Sequence, residues 1–173
     1  WDEAIKEAYA AAPADQSILS TLEIYHETMA GPVRMVADDG VWQENIDGMD
    51  IYGHLMTLEA SAPLNPSEEV LFQSVMFKFQ LATQSDARIS GMEVTIDNAT
   101  KLISGYLDEA VTVRSPMTLI YREYLSDDLS EPHLIIKNLT IPKVSGSVLQ
   151  VTATAEFRDL INKKFPNLTY QPA

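Results

Sequence analysis

Residues 89–110, ISGMEVTIDNATKLISGYLDEA, decide how the chain is read. Met92, Val94 and Ile96 fall on one side of an extended segment and Glu93 and Thr95 on the other, the period-two pattern of a half-buried strand. The period then changes. Ala99, Leu102, Ile103, Tyr106 and Ala110 recur at helical spacing, and Asn98 or Asp97 stands where an N-cap accepts the free backbone N–H groups of the first turn. The spacing predicts one helix at about 98–110 that covers an opening in a β-rich body. Its polar side, Lys101, Ser104, Asp108 and Glu109, is then a face for a neighbouring subunit.

Upstream, Trp1, Ile5, Ala8, Tyr9 and Ala12 form an apolar stripe opposed by Asp2, Glu3, Lys6 and Glu7, and Pro13 stops it, which predicts a short N-terminal helix. Ile18 to Tyr25 alternates as a strand and turns through Ala30-Gly31-Pro32 into Val33 to Ala37. Val41 to Ile46 reads as a third strand or a loop, Gly48 interrupts, and Ile51 to Leu58 follows as a further strand. Ser61 to Glu69, with two prolines, is the most loop-like segment and is expected to project from the body. Val70 to Ala82 carries the strongest strand pattern, with Leu71, Val75, Phe77, Phe79 and Leu81 on one face, and is expected to be central. Past the helix come strands at Met117 to Tyr124, Leu134 to Ile141 and Val148 to Phe157, with a hairpin turn at Val144 to Ser147. The fold expected is mainly β with a few helices, a β-sandwich or partly open barrel in a single domain over residues 1–173.

Composition narrows the function classes. The chain has 173 residues, 46% of them hydrophobic, enough for an ordinary core. It has no run of about 18 apolar residues and no basic start leading into an apolar stretch, so neither a membrane span nor a secretory signal is expected. Cysteine is absent, which removes disulfides, thiolate nucleophiles and the common zinc sites. A formal charge of −13 opposes stable binding to nucleic acid or anionic membranes, which reward a basic patch.

Each candidate for chemistry has a simpler structural reading. His26, His54 and His133 are far apart in sequence and read as surface or loop residues; only His54 or His133 converging on two carboxylates would suggest a hydrolase. Asp38-Asp39 and Asp127-Asp128 suit a hard cation or acid–base work, yet adjacent aspartates in turns usually cap backbone N–H groups. Asp47-Gly48-Met49-Asp50 resembles a fragment of a calcium loop but lacks the remaining ligands. Ser145-Gly146-Ser147 reads as a turn. Asn98-Ala99-Thr100, Asn138-Leu139-Thr140 and Asn167-Leu168-Thr169 match the glycosylation pattern by chance in a chain with no expected signal. Trp1, Trp42, Tyr121, Tyr124 and Tyr170 could make an aromatic binding surface, though strand aromatics are more simply core or sheet-face residues. No catalytic, cofactor-binding or metal-binding residue is assigned, and no cofactor is expected.

Three stretches carry a family resemblance: WDEAIKEAYAAAPADQSILSTLEI at the start, Met92 to Glu109, and Tyr121 through Tyr124-Leu125-Ser126-Asp127-Asp128-Leu129-Ser130 to the ending Phe157-Arg158-Asp159-Leu160-Ile161-Asn162-Lys163-Lys164-Phe165-Pro166. Together they resemble a domain-of-unknown-function family of minor tail proteins encoded in the tail-gene clusters of long-tailed bacteriophages and prophages. None of these motifs is catalytic in form, and Trp42 to Ser67 carries least of the likeness. The resemblance implies a non-enzymatic structural protein of the tail tip with a fold like that of tail-tube subunits. It implies assembly in the bacterial host cytoplasm into the virion tail, with adjacent tail proteins as partners, either as a homo-oligomeric ring or as a monomer that assembles only on the growing tip. Loops Ser61 to Glu69 and Ser126 to Pro132 and the sheet edges are the expected contact donors. An acidic chain also suits a channel through which DNA passes without sticking. The alternative is a receptor- or carbohydrate-binding module that stacks its ligand on Trp42 and exposed tyrosines.

Overall fold

The structure, a computed structural model, describes residues 17–81, 92–97, 116–142, 144–147 and 150–157. Eleven strands make up its regular structure: β1 (Ile18–Tyr25), β2 (Val33–Val36), β3 (Val41–Ile46), β4 (Met49–Thr57), β5 (Glu69–Ser74), β6 (Phe77–Leu81), β7 (Met92–Asp97), β8 (Met117–Leu125), β9 (Leu134–Ile141), β10 (Val144–Ser147) and β11 (Gln150–Phe157). They are paired in the order β3-β4-β5-β2-β1-β8-β9-β11-β7-β6, with β10 also on β11. Every pairing is antiparallel except β2 with β5. The pairing path divides into two sheets that share β11. The larger runs from β3 to β9 and meets only Glu156 and Phe157 of β11; the smaller is β6, β7, β11 and β10.

Alternation builds two cores on opposite faces of the larger sheet. Leu22 and Ile24 of β1, Val33 and Met35 of β2, and Met117, Leu119 and Tyr121 of β8 point to one face. There they meet Val75, Phe77, Val94, Ile96 and Ala155. The ring of Phe79 stacks on Tyr121 with centroids 4.1 Å apart. The intervening positions Leu19, Val36 and Tyr124 point to the other face and pack with Met56, Leu58, Ala62, Val70 and Phe72. Strand β8 is therefore buried on both faces through Tyr124, with Thr118 only partly so, and it lies beside β1 in the middle of the order.

Four sequence expectations are corrected. Among the described residues the fold is all-β, with no helix in it and none covering a sheet. Residues 1–12 and 98–110, where periodicity places the two helices, lie outside the described residues. The covering expected of a helix is provided by the smaller sheet on one face and by the Leu58 to Glu69 segment on the other.

Second, Val70 to Ala82 is not one central strand. Its buried positions are Val70 and Phe72 and then Val75 and Phe77, so parity flips at the junction and the chain passes from one core to the other as it changes sheet. The central strands are β1 and β8. Third, Val144 to Ser147 is a strand, registered on Gln150 to Ala153, rather than a turn. Strands β9 and β10 lie along the same edge of β11 on either side of Pro142-Lys143, and the pairing slips by one residue between Thr140↔Glu156 and Val144↔Ala153.

Fourth, Ser61 to Glu69 does not project freely. Leu58 N–H donates to Glu68 O, Lys137 Nζ donates to Ser61 O and Oγ at 3.1 and 2.7 Å, and Arg34 Nη2 donates to Asn65 Oδ1 at 2.8 Å. The segment is clasped to the sheet below it.

Candidate interaction surface

Two features stand apart from ordinary strand packing: a buried ionic cluster and an exposed apolar hairpin.

The cluster follows from charged residues placed in mid-strand. Register sets Glu23 of β1 directly opposite Arg34 of β2, and Arg122 of β8 opposite Thr21. Arg34 Nε donates to Glu23 Oε2 at 2.7 Å. Arg122 lies 3.6 Å from the same oxygen and grips Glu59 with Nε and Nη2 at 2.7 and 3.3 Å. Lys137 Nζ reaches Glu59 Oε1 at 3.0 Å. Arg122 and Glu23 are fully buried, and Glu23 Oε1 and Arg122 Nη1 lack hydrogen-bond partners. Burial pushes the Glu59 carboxyl up, but the bonds from Arg122 and Lys137 outweigh it and hold it below its ordinary value. Tyr124, pushed up by burial, donates its hydroxyl to Thr57 O at 2.9 Å alongside. This arrangement fastens the Leu58 to Glu69 segment to the sheet. It is a clasp, since its charges face one another.

The hairpin is β3–β4. Its turn is Asp47-Gly48, both at positive φ (51° and 80°), between partners Ile46 and Met49. That is a two-residue type I′ connection, so Asp47-Gly48 is a hairpin turn, Met49 and Asp50 begin β4, and the segment is not part of a calcium loop. Asp50 instead accepts hydrogen bonds from Asn45 Nδ2 and Trp42 Nε1, which lower its carboxyl. At the base, Gly40 at φ 65° lies against Gly53, where any side chain would collide with Ser74 Oγ and with the β4 backbone. Gly40 N–H donates to Asp38 Oδ2, whose carboxyl is held down chiefly by its 2.7 Å hydrogen bond to His54 Nε2. A bulge at Gln43 is filled by its own side chain, which donates to Gly53 O at 3.0 Å.

Outward from this base the hairpin exposes Val41 (57%), Trp42 (58%), Tyr52 (48%) and Leu55 (45%). Trp42 and Tyr52 are cross-strand partners on one face; Val41 is opposite Gly53 and, with Leu55, belongs to the other. Beyond β3 the sheet order ends, leaving one edge of the strand without a neighbour among the described residues.

The sequence candidates are distributed as follows. His54 meets one carboxylate, Asp38. His26 Nδ1 lies 2.8 Å from Thr28 Oγ1, and exposed His133 donates its backbone N–H to Glu123 O. Asp128 caps Ser130 through its backbone N–H and hydroxyl. Among the described residues no three His, Asp or Glu side chains are grouped as a metal site. Asn138 is a positive-φ residue at a bulge in β9. Of the aromatic set, Tyr121 and Tyr124 are core residues, Trp42 is exposed, and Trp1 and Tyr170 lie outside the described residues. Sequence reading missed the five-membered ionic cluster and Tyr52. The signals were present, in Glu23 and Arg122 flanked by strand apolar residues and in Asp-Gly between two extended segments.

The profile of the family described as Domain of unknown function (DUF1833) matches residues 4–170. The chain belongs to the DUF1833 family. The match takes in every described strand, so the hairpin and the clasp are both parts of the DUF1833 domain. No curated protein matches the chain.

Proposed function

We propose that this DUF1833 protein is a non-enzymatic structural component of a bacteriophage or prophage tail tip. It works by self-association and by binding neighbouring tail proteins. The tail assignment rests on the three resembling stretches described above. The observation that carries the binding of neighbours is the β3–β4 hairpin, which offers four large exposed apolar side chains beside a strand edge that has no neighbour among the described residues. Exposed apolar groups and open edges are expensive features for a free monomer and are the usual raw material of assembly contacts. In this reading the protein is made in the bacterial cytoplasm and ends in the virion tail.

The test is co-expression of the chain with the products of the adjacent tail genes, followed by light scattering and electron microscopy. A ring, or a complex with a repeated contact of more than about 1,000 Å², is expected. A chain that stays monomeric and binds none of those products overturns the reading. The alternative, a carbohydrate- or receptor-binding module, has one observation in its favour, the adjacent exposed rings of Trp42 and Tyr52. It predicts quenching of Trp42 fluorescence by saccharides.

A further inference from the structure

The hairpin also indicates what kind of partner it accepts. From Met35 through Phe77 the sequence contains no Lys or Arg, while Asp38, Asp39, Glu44, Asp47, Asp50, Glu59, Glu68 and Glu69 all fall within it. Glu59 is neutralised inside the clasp and Asp38 is paired with His54. Asp39, Glu44, Asp47 and Asp50 remain exposed around the hairpin, with Glu44 on the edge strand itself. An incoming strand therefore meets backbone donors and acceptors, apolar side chains on both faces, and a negative field.

A second copy of this chain suits that site poorly. It brings a formal charge of −13 and, if it presents the same edge, sets Glu44 and Asp47 against their own equivalents. Like charges at such separations repel, and the bulge at Gln43 breaks the regular register that two identical edges would need. The charge repulsion disfavours a second copy and favours a strand of opposite charge, whereas the bulge is an irregularity that any incoming strand has to accommodate.

We infer that the β3 edge takes up an extended, Lys- or Arg-bearing segment of a different protein by strand addition. Cationic side chains of that segment lie among Glu44, Asp47 and Asp50, and its apolar residues lie against Trp42 and Tyr52 or Val41 and Leu55. Six residues of β3 give a contact about 20 Å long. The inference rests on the hairpin being an interaction surface, as in the assembly reading, and adds the chemistry of the occupant. Self-association is left to other surfaces.

The test uses the full chain and two end-capped, fluorescein-labelled peptides of about eight residues, the length of an ordinary strand. One alternates Lys with Val; in the other Glu replaces each Lys. Anisotropy is expected to show binding of the basic peptide at low salt, weakened about tenfold or more at high salt, and none of the acidic one. Hydrogen exchange should slow at Val41 to Ile46. Trp42→Ala should weaken binding about tenfold, as loss of an aromatic anchor does. The exposed double substitution Glu44→Lys, Asp47→Lys should reverse the preference toward the acidic peptide, whereas Asp127→Lys with Asp128→Lys should leave it unchanged. The variants' thermal midpoints establish that they fold. No binding of the basic peptide, binding indifferent to Trp42 and to the charge reversal, or exchange protection elsewhere than β3 would each overturn the inference. Adjacent tail products that still bind while this fails leave the assembly reading standing; a bound basic peptide with no tail partner does the reverse.

Discussion

Arg122 is the residue on which the outer face of the larger sheet depends. Its guanidinium is fully buried, and it forms two hydrogen bonds to Glu59. Glu59→Gln removes the nearer of the two carboxylates and leaves the buried guanidinium only Glu23, 3.6 Å away, so it is expected to lower stability by about 3 kcal/mol in urea denaturation. Replacing both, as Arg122→Met with Glu59→Leu, should recover part of that loss, because an apolar pair has no charge to desolvate and the buried Glu23 keeps its ion pair with Arg34. The sign of the pH dependence follows from the lowered Glu59 carboxyl. Its contribution is complete above the ordinary value of 4.5 and is lost as pH falls through that value toward the depressed folded one. Asp38, also lowered, acts in the same direction. Urea midpoints measured down the acid range should fall more steeply for the wild type than for Glu59→Gln. Gly40→Ala is a separate case, a left-handed position with no room for a methyl group, and it should cost about 2 kcal/mol or more. Such residue-level detail was only half legible. Glu23 and Arg122 are visibly out of place in apolar strands, but the sequence does not say that Glu59, 63 residues from Arg122, closes the cluster.

At the level of elements, alternation identified β1, β2, β7, β9 and the body of β8 and β11 because each presents one or two packed faces in period two. It failed where the chain changes sheets. At Ser74-Val75 the buried parity flips, and a long alternating run reads the same whether it stays in one sheet or moves to another. The order of the strands was equally hidden, since a central strand and an edge strand differ in what lies beside them. The observed order has a measurable consequence. Backbone amides of β8 and β1, in the middle of the order and packed on both faces, should exchange slowest, and those of β3, at the end of the order with no fully buried side chain, should exchange fastest. Equal protection across these strands would contradict the topology.

For the whole molecule, the resemblance reached the domain family, which no strand pattern could supply. Family membership over residues 4–170 accords with the domain-of-unknown-function resemblance, while the tail role remains the proposal that partner binding must test. The charge of −13 makes one more prediction. If copies of this chain associate, added salt should strengthen the association by screening their mutual repulsion, the opposite of its effect on the basic peptide. Light scattering across a salt series separates the two. The mixed β-and-helix expectation gave way because the covering layer it assigned to helices is made by strands and by the clasped segment.

The joint use of strands by both sheets has a mechanical side. Between β5 and β6, and again between β9 and β10, the chain crosses from one sheet to the other over two intervening residues, and β11 belongs to both. The layers are therefore riveted at several points and have little freedom to slide or splay. A pull on the β3–β4 hairpin enters the larger sheet through the antiparallel ladder of β4 and β5 and passes along the backbone into the smaller one. A pull directed along β3 would load that ladder in shear, many hydrogen bonds at once, whereas a pull away from the edge would peel it pair by pair.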